Sequence, residues 1–164
     1  MGLQLPGELI SLLGILGFTW PEADETALLE MGQAWTAFST TLDALAADAA
    51  TAATTVWTQQ SGGDIAAFQA WWGHEDSPAA ALRDGVTAAT VTGTGLMLCG
   101  MIVLGLKIAV IIQLTILAIQ IAQAIATAAV TFGASLLEIP IFQALARTII
   151  SGLIDEVIAK LLEA

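Results

Sequence analysis

The sequence contains no tyrosine, a single histidine, a single cysteine and only four lysine or arginine residues among 164. One cysteine, Cys99, excludes a disulfide bond within the chain. The shortage of cations, with a formal net charge of −11, argues against a nucleic-acid partner, because contacts to phosphate require clustered Lys and Arg. The scarcity of histidine, tyrosine and cysteine also leaves few candidates for general acid–base catalysis.

Hydrophobic residues dominate the composition: they make up 57% of the chain, whereas charged residues make up only 12%. Soluble domains average about 45–50% apolar and about 25% charged residues. The composition therefore excludes an intrinsically disordered chain, and an ordinary solvated surface over the whole molecule is not expected. A length of 164 residues corresponds to one domain, or to one domain with an appendage.

Charge is distributed unevenly along the chain. Most of the acidic residues lie in the first half, whereas residues 85–137 contain a single charged residue, Lys107. This contrast predicts an acidic helical module over residues 1–93 and an apolar part over residues 94–164. The apolar part either packs with the first module as one unit or inserts into a membrane. Because the first basic residue is Arg83, no conventional signal peptide is expected.

A heptad pattern in the first module predicts a long helix. Apolar residues recur at alternating spacings of three and four over four consecutive repeats, and they form a seam. The positions are Leu28, Met31, Trp35, Phe38, Leu42, Leu45, Ala49, Ala52 and Val56. An unbroken seam predicts a helix from about residue 22 to residue 59 that packs lengthwise against another helix. Thr19 and Glu22 have the spacing of a capping box at its start.

Two breaks after this helix predict a helical hairpin. The Gly62–Gly63 pair ends the long helix, and Ser61 or Asp64 is placed to cap the next one. Ser77 followed by Pro78 predicts the start of another helix, which packs antiparallel to the first because the connection is short. The turn holds residues that either belong to the core or anchor a partner helix. They are Trp57, Gly62, Trp71, Trp72 and Gly73.

The apolar part contains the longest hydrophobic run of the chain. A helix over about residues 95–132 exceeds the roughly 20 residues that cross a bilayer core. Its polar residues form a stripe that consists of Lys107, Gln113, Gln120, Gln123 and Thr127. Three interpretations remain open: a helix buried by the rest of the chain, a membrane span whose polar stripe binds neighbouring helices, and a soluble form that inserts later.

The last residues predict one more amphipathic helix. It starts near Pro140 and folds back over the apolar segment. Its apolar stripe consists of Ile141, Leu145, Ile149, Leu153, Val157 and Leu161. The fold class expected for the whole chain is therefore all-α: an antiparallel helical hairpin, a long apolar helix and a C-terminal amphipathic helix.

No set of side chains indicates an active site, a cofactor site or a metal site. His74, Glu75 and Asp76 are adjacent in sequence, and adjacent residues rarely converge on one ion. Cys99 lies in an apolar run, where a thiol usually packs as a small hydrophobic group. Residues 93–95 lack the Gly-Lys-Ser/Thr ending of a phosphate-binding loop. We therefore expect a non-enzymatic protein without cofactor or metal.

The tryptophan and glycine motifs of the turn carry a family resemblance. Trp71-Trp72-Gly73 is a literal Trp-x-Gly, whereas Trp57 is followed by glycine only at Gly62. The hairpin resembles the WXG superfamily of type VII secretion substrates. The order of parts is similar to the N-terminal WXG-like domain of actinobacterial polymorphic toxins, a group that includes the CpnT-like outer membrane channel proteins. The further matching segments are Leu5–Glu8, Trp20–Glu25, Leu82–Gly85 and Leu106–Ser135.

This resemblance implies an exported, all-helical module that pairs with small helical partners or with itself. In longer relatives such a module carries a C-terminal toxin domain. The expected location is therefore secreted, or at the cell surface or membrane. Two departures stand out: without tyrosine the family's Tyr-x-x-x-Asp/Glu export signature is absent, and no toxin domain is recognisable. The alternative function is a membrane-inserting or channel-forming element that translocates a linked toxin domain.

Overall fold

The structure, a computed structural model, describes residues 2–163 and confirms the all-α fold class. No strand occurs among these residues. The helices are α1 (Gly7–Ile15), α2 (Glu25–Gln59), α3 (Gly63–Trp72), α4 (Pro78–Thr127) and α5 (Ile139–Glu163), with a short 3₁₀ helix over Ala134–Glu138. The contacts group the chain into two compact units. Unit 1 combines the residues up to Leu28 with those from Leu98 onwards, and unit 2 is Leu29–Met97.

Unit 2 contains the predicted helical hairpin. Within it, α2 and the first part of α4 run antiparallel, and α3 connects them. Ser77 caps α4 as predicted: its hydroxyl accepts the Ala80 N–H at 3.2 Å, and Pro78 is the first helical residue. At α3 the predicted side-chain cap is wrong, because Gly62 is the N-cap residue and no side chain bonds to the helix start. Gly62 takes a φ of +148°, a conformation that L side chains rarely adopt.

The start of α2 differs from the expected capping box. The helix begins at Glu25, and residues 18–24 are not helical. The Asp24 carboxylate accepts the Ala27 N–H at 3.1 Å and provides the cap instead of Thr19. Asp is as good an N-cap residue as Thr, so α2 can begin directly after Asp24 without the capping box at Thr19 and Glu22.

This chain buries only part of the heptad seam that was predicted on α2. Most of its bulky members stay exposed, namely Met31, Trp35, Phe38, Leu45 and Val56. The buried or half-buried line lies one residue further along and contains small or polar residues: Glu25, Gly32, Ser39, Ala46 and Ala53. The seam members Leu42 and Ala49 are half-buried, and a Cβ on Gly85 of α4 would lie 3.6 Å from Leu42 Cδ1. Part of the predicted seam therefore faces the helix contact, whereas its exposed bulky members do not. Small side chains bring two helix backbones closer than bulky ones, and this closer packing determines the inward face.

Helix α4 continues without a break for 50 residues. Gly93 and Gly95 do not end it, so the expected boundary between residues 93 and 94 falls inside one helix. An isolated glycine costs a helix only about 1 kcal/mol, which packing along an unbroken face outweighs. The helix also ends at Thr127, earlier than expected, and Gly133 takes a φ of +85° in the following turn.

One face of α4 is buried or half-buried along its whole length at alternating spacings of three and four. Its residues are Ala79, Leu82, Val86, Ala89, Gly93, Leu96, Gly100, Val103, Lys107, Val110, Leu114, Leu117, Ile121 and Ala124. This face carries two glycines and a lysine among its apolar residues. Because of this mixture, a search for bulky hydrophobic residues at heptad spacing does not detect the buried face.

The core of unit 1 is formed by α1, α4 and α5 together with the N-terminal segment. Its buried members are Leu5, Leu13, Leu16, Val110, Leu114, Leu117, Ala146 and Ile150. The apolar stripe predicted on α5 is buried only in part: Ile149, Leu153 and Val157 are half-buried, whereas Ile141 and Leu145 are exposed. In the first half of the helix the buried positions are Ala146 and Ile150 instead. As on α2, a small residue occupies the inward position.

Candidate functional site

Unit 2 carries an exposed apolar feature, the outer stripe of α2, which comprises Met31, Ala34, Trp35, Phe38 and Leu45. These residues lie at helical spacing on one side of the helix, and the first four line a shallow hollow. The exposed fractions are 50% for Met31, 49% for Phe38 and 52% for Leu45. Trp35 and Phe38 stack edge to face with ring centroids 5.9 Å apart. Contiguous apolar side chains at the surface indicate a protein or membrane contact.

A close crossing of α2 and α4 directs this stripe outward. A Cβ on Gly32 would lie 2.8 Å from the Gly93 carbonyl oxygen and 2.6 Å from Met97 Cγ. In the same way, a Cβ on Gly93 would lie 2.9 Å from the Gly32 oxygen. The two backbones therefore touch at this crossing. With Gly32 facing α4, its neighbour Met31 is turned away from the contact.

Ser39 fixes the register of the hairpin one heptad further on. Its hydroxyl is buried, donates to the Val86 carbonyl oxygen at 3.1 Å and lies 2.7 Å from the Thr90 hydroxyl. Neither Gly32 nor Ser39 belongs to the predicted seam. The signal that identifies them is a seven-residue repeat of small residues, which a search for bulky residues does not detect.

The predicted turn residues gather around Phe68. The Phe68 ring centroid lies 5.9 Å from those of Trp57 and Trp72, and 6.2 Å from that of Trp71. Trp71 is 52% exposed, whereas Trp57 and Trp72 are half-buried. The aromatic cluster therefore stabilises the packing of α3 on α2 and leaves one indole at the surface. Gly73 has an ordinary helical φ of −81°, so its backbone conformation does not require glycine.

The structure divides the predicted polar stripe of α4 between two faces. Gln113 and Gln120 are half-buried, and Gln123 and Thr127 are exposed. Lys107 lies instead on the inward face and is 1% exposed. Apart from it, the buried face of α4 in unit 1 consists of apolar residues and Gly100, so its charge requires a partner.

That partner is Glu25, at the first turn of α2. Lys107 Nζ donates to Glu25 Oε2 at 2.7 Å and to the Ala23 carbonyl oxygen at 2.6 Å. The carboxylate is 3% exposed, and its Oε1 accepts the N–H of Leu3. The Trp20 ring centroid is 5.7 Å from Lys107 Nζ, within cation–π range.

The environment of Glu25 keeps it ionised. Burial alone raises the pKa of a carboxyl group, but the Leu3 N–H and the Lys107 ammonium stabilise the charged form and outweigh this effect. The result is a pKa lowered to about 2. The Glu25 carboxylate is therefore ionised throughout the physiological pH range.

The opposite face of α4 in unit 1 presents an apolar surface. We call it the outer face of α4. Large side chains recur along it with exposed fractions of 40% or more: Leu98, Met101, Ile108, Ile112, Ile116 and Ile119. By length and composition two helical segments qualify as candidate membrane spans, Pro78–Thr127 and Ala134–Glu163. In the most apolar stretch of each segment, only 22% and 11% of the residues, respectively, are buried by the rest of the chain.

The remaining polar candidates have local roles. Among residues 2–163, no three His, Cys, Asp or Glu side chains are arranged to hold a metal ion. His74 Nδ1 accepts the Asp76 N–H at 3.3 Å in the exposed turn before α4. Cys99 is a free thiol that is partly buried.

A helical hairpin with bulky apolar side chains on its outer surface, and with tryptophans at its turn, defines a helical interaction protein. The sequence matches the family model of the WXG100 like domain over residues 5–149, and the chain belongs to this family. The predicted WXG superfamily is thereby confirmed. Membership indicates a secretion-related helical protein that works with a helical partner or as an oligomer. No curated protein and no solved structure matches the sequence.

Proposed function

We propose that the protein is a non-enzymatic export and interaction module of a type VII-secreted polymorphic toxin. Its family membership supports a role in secretion, and the outer stripe of α2 supports a role in pairing. The resemblance to actinobacterial CpnT-like proteins extends the proposal to a C-terminal toxin domain where the module is part of a longer chain. Its location is then secreted or at the cell surface.

The observation that carries the pairing role is the exposure of Met31, Trp35 and Phe38 on one side of α2. Apolar residues at alternating spacings of three and four stay on one side of a helix over several turns, so they fit a second helix lying along them. Aromatic side chains contribute much of the binding energy at such contacts. The proposed occupant is a small helical secretion partner or a second copy of this chain.

Substitution of the two aromatic residues tests the pairing. The double variant Trp35→Gln/Phe38→Gln keeps the net charge and removes both rings. We expect it to weaken the complex at least about 30-fold, because truncating one such anchor costs about 2 kcal/mol or more. Native mass spectrometry of the chain, alone and co-expressed with a small helical partner, gives the fraction in complex.

Thr40→Gln is the matched control, because Thr40 is exposed on the side of α2 away from the stripe. The control should leave the complex unchanged. Equal complex formation by the double variant and the unmodified chain would exclude the outer stripe as the contact.

Export is tested separately from pairing. A reporter fused to the chain should reach the medium in a host with an intact type VII system, and deletion of the ATPase of that system should retain it in the cells. A cytosolic reporter without the module controls for lysis. If the fusion is exported equally well without the ATPase, the type VII assignment is wrong.

A second candidate function is a membrane-inserting element that translocates a linked domain. The outer face of α4 favours it, because this face exposes six large apolar side chains within a 53-residue stretch whose only charged residue, Lys107, is buried. At 1.5 Å per residue the 50 residues of α4 extend about 75 Å, whereas a bilayer core is about 30 Å thick. Only part of α4 can therefore enter a bilayer.

Flotation with liposomes tests this candidate. The chain purified without detergent is mixed with vesicles, and its distribution in a density gradient is measured together with release of an encapsulated dye. Flotation with dye release supports insertion. A chain that stays soluble and releases no dye shows that protein, not lipid, covers the outer face of α4.

A further inference from the structure

Lys107 is the only charged residue between residues 85 and 137, and it lies directly before a long uncharged part of the apolar run. The twenty residues that follow it within α4, residues 108–127, contain no formal charge. About 20 residues are what a helix needs to cross a bilayer core. Lys107 thus lies at one end of a segment of spanning length, where a lysine side chain can extend to the headgroup region.

In the structure this ammonium is satisfied entirely from within the chain. Among the described residues, its acceptors are the Glu25 carboxylate and the Ala23 carbonyl oxygen, 82 and 84 residues away in sequence. Ala23 lies in the segment that leads into α2, and Glu25 is the first residue of that helix. The pair is 97% or more buried on each side, so water does not substitute for either partner.

The same carboxylate also fixes the N-terminal segment. The Leu3 N–H donates to Glu25 Oε1, and the Trp20 indole N–H donates to the Leu3 carbonyl oxygen at 3.3 Å. Leu5 is 7% exposed and belongs to the core cluster that includes Val110. The Glu25 carboxylate therefore does two things at once: it neutralises Lys107, and it holds the N-terminal segment against the core of unit 1.

We infer that the Glu25–Lys107 pair is an autoinhibitory latch on the apolar helix. While closed, it holds the N-terminal segment on unit 1 and keeps α4 packed within the protein. When it opens, the Lys107 side chain exchanges the carboxylate for the polar headgroup region of a bilayer, and residues 108–127 enter the lipid. This inference rests on the second candidate function above, and its partner is a lipid bilayer; the net charge of −11 favours zwitterionic over anionic lipid.

Replacement of the carboxylate by an isosteric amide tests the latch. Glu25→Gln leaves Lys107 buried without a counter-charge. We expect its vesicle-bound fraction, on phosphatidylcholine vesicles, to exceed that of the unmodified chain by more than about tenfold, because breaking one side of a buried pair is strongly unfavourable. Hydrogen exchange should show faster exchange in residues 2–5, with α5 still protected.

Ile150→Ala controls for general loosening. Ile150 is fully buried in the same core cluster as Leu5. It belongs to α5, and its apolar side chain cannot form a hydrogen bond with Glu25 or Lys107. This variant should bind vesicles no more than twice as well as the unmodified chain, by the same reasoning about charge. If Glu25→Gln does not fold, Leu5→Ala weakens the closed segment without changing a charge, and it should also raise vesicle binding.

The outcomes separate the latch from the function it controls. If the unmodified chain binds vesicles as well as Glu25→Gln does, the latch is overturned and membrane insertion stands. Equal binding by Ile150→Ala and Glu25→Gln also overturns it, because loosening alone would then be sufficient. If no variant binds vesicles, both the latch and the membrane function are excluded.

Discussion

Gly32 and Gly93 lie opposite each other where α2 and α4 cross, and each would place a Cβ within 2.9 Å of the other's carbonyl oxygen. This contact leaves no room for a side chain on either helix. It explains why the inward line of α2 contains small residues while the bulky residues remain on the outside. The exposure of Trp35 and Phe38 is therefore a consequence of helix packing and not of poor folding.

The first prediction concerns this crossing. Gly32→Ala and Gly93→Ala should each lower the free energy of unfolding by about 1–3 kcal/mol, because the added methyl group overlaps backbone atoms that cannot move aside easily. Urea unfolding followed by far-UV circular dichroism measures the change.

Gly95→Ala is the matched control for both variants. It lies two residues from Gly93 on the same helix, and a Cβ there would meet nothing within 4 Å. Since alanine favours a helix over glycine by up to about 1 kcal/mol, this variant should be as stable as the unmodified chain or more stable. A stability loss equal to that of Gly93→Ala would show that the crossing is not tightly packed in solution.

The second prediction concerns the register of the hairpin. Ser39→Ala removes the buried hydrogen bond to the Val86 carbonyl oxygen and the contact with Thr90. A typical hydrogen bond contributes about 1 kcal/mol to stability, and we expect a loss of that order. Thr41→Ala serves as control, because that exposed hydroxyl bonds only within its own helix, to the Ala37 oxygen. It should change stability by less than about 0.5 kcal/mol.

The sequence allowed the hairpin, the cap at Ser77 and the presence of a long apolar helix to be predicted. Local signals define all three, since capping and turn residues act over a few positions. The inward faces of α2 and α5 were predicted only in part: the most deeply buried positions, such as Ser39 and Ile150, lie one residue after a predicted stripe member. Hydrophobic periodicity predicts how often a helix residue turns inward. Which residues turn inward depends on the side chains that allow the closest packing against the partner helix.

The partner of Lys107 could not be predicted for a different reason. Glu25 is 82 residues away, and its position in the first turn of α2 already accounts for a negative charge there. No local pattern links a lysine in one helix to a glutamate at the start of another. Only the packing of α4 against the segment before α2 brings the two charges together.

The third prediction concerns the pH dependence of stability. The pKa of Glu25 is lowered from 4.5 to about 2 in the folded chain, so its contribution to stability is fully present above pH 4.5 and is lost as the pH falls towards 2. A difference of this size corresponds to about 3 kcal/mol. The stability difference between the unmodified chain and Glu25→Gln should therefore be constant from pH 7 to about 5 and should shrink below pH 4.5.

Chemical denaturation of both proteins across this pH range isolates Glu25, because the other carboxyl groups are common to the pair. If the stability difference does not change between pH 7 and about 3, Glu25 is not held in its ionised form by the buried pair.

The fourth prediction compares two serines that have the same sequence signal but different surroundings. Ser77 is fully buried and its hydroxyl caps α4, whereas Ser61 lies exposed before α3 and makes no cap. Ser77→Ala should cost about 1 kcal/mol, since the Ala80 N–H loses its acceptor in a site that water does not reach. Ser61→Ala should change stability by less than about 0.5 kcal/mol. Thermal unfolding of both variants measures the contrast, and equal losses would mean that α3 also depends on a serine cap.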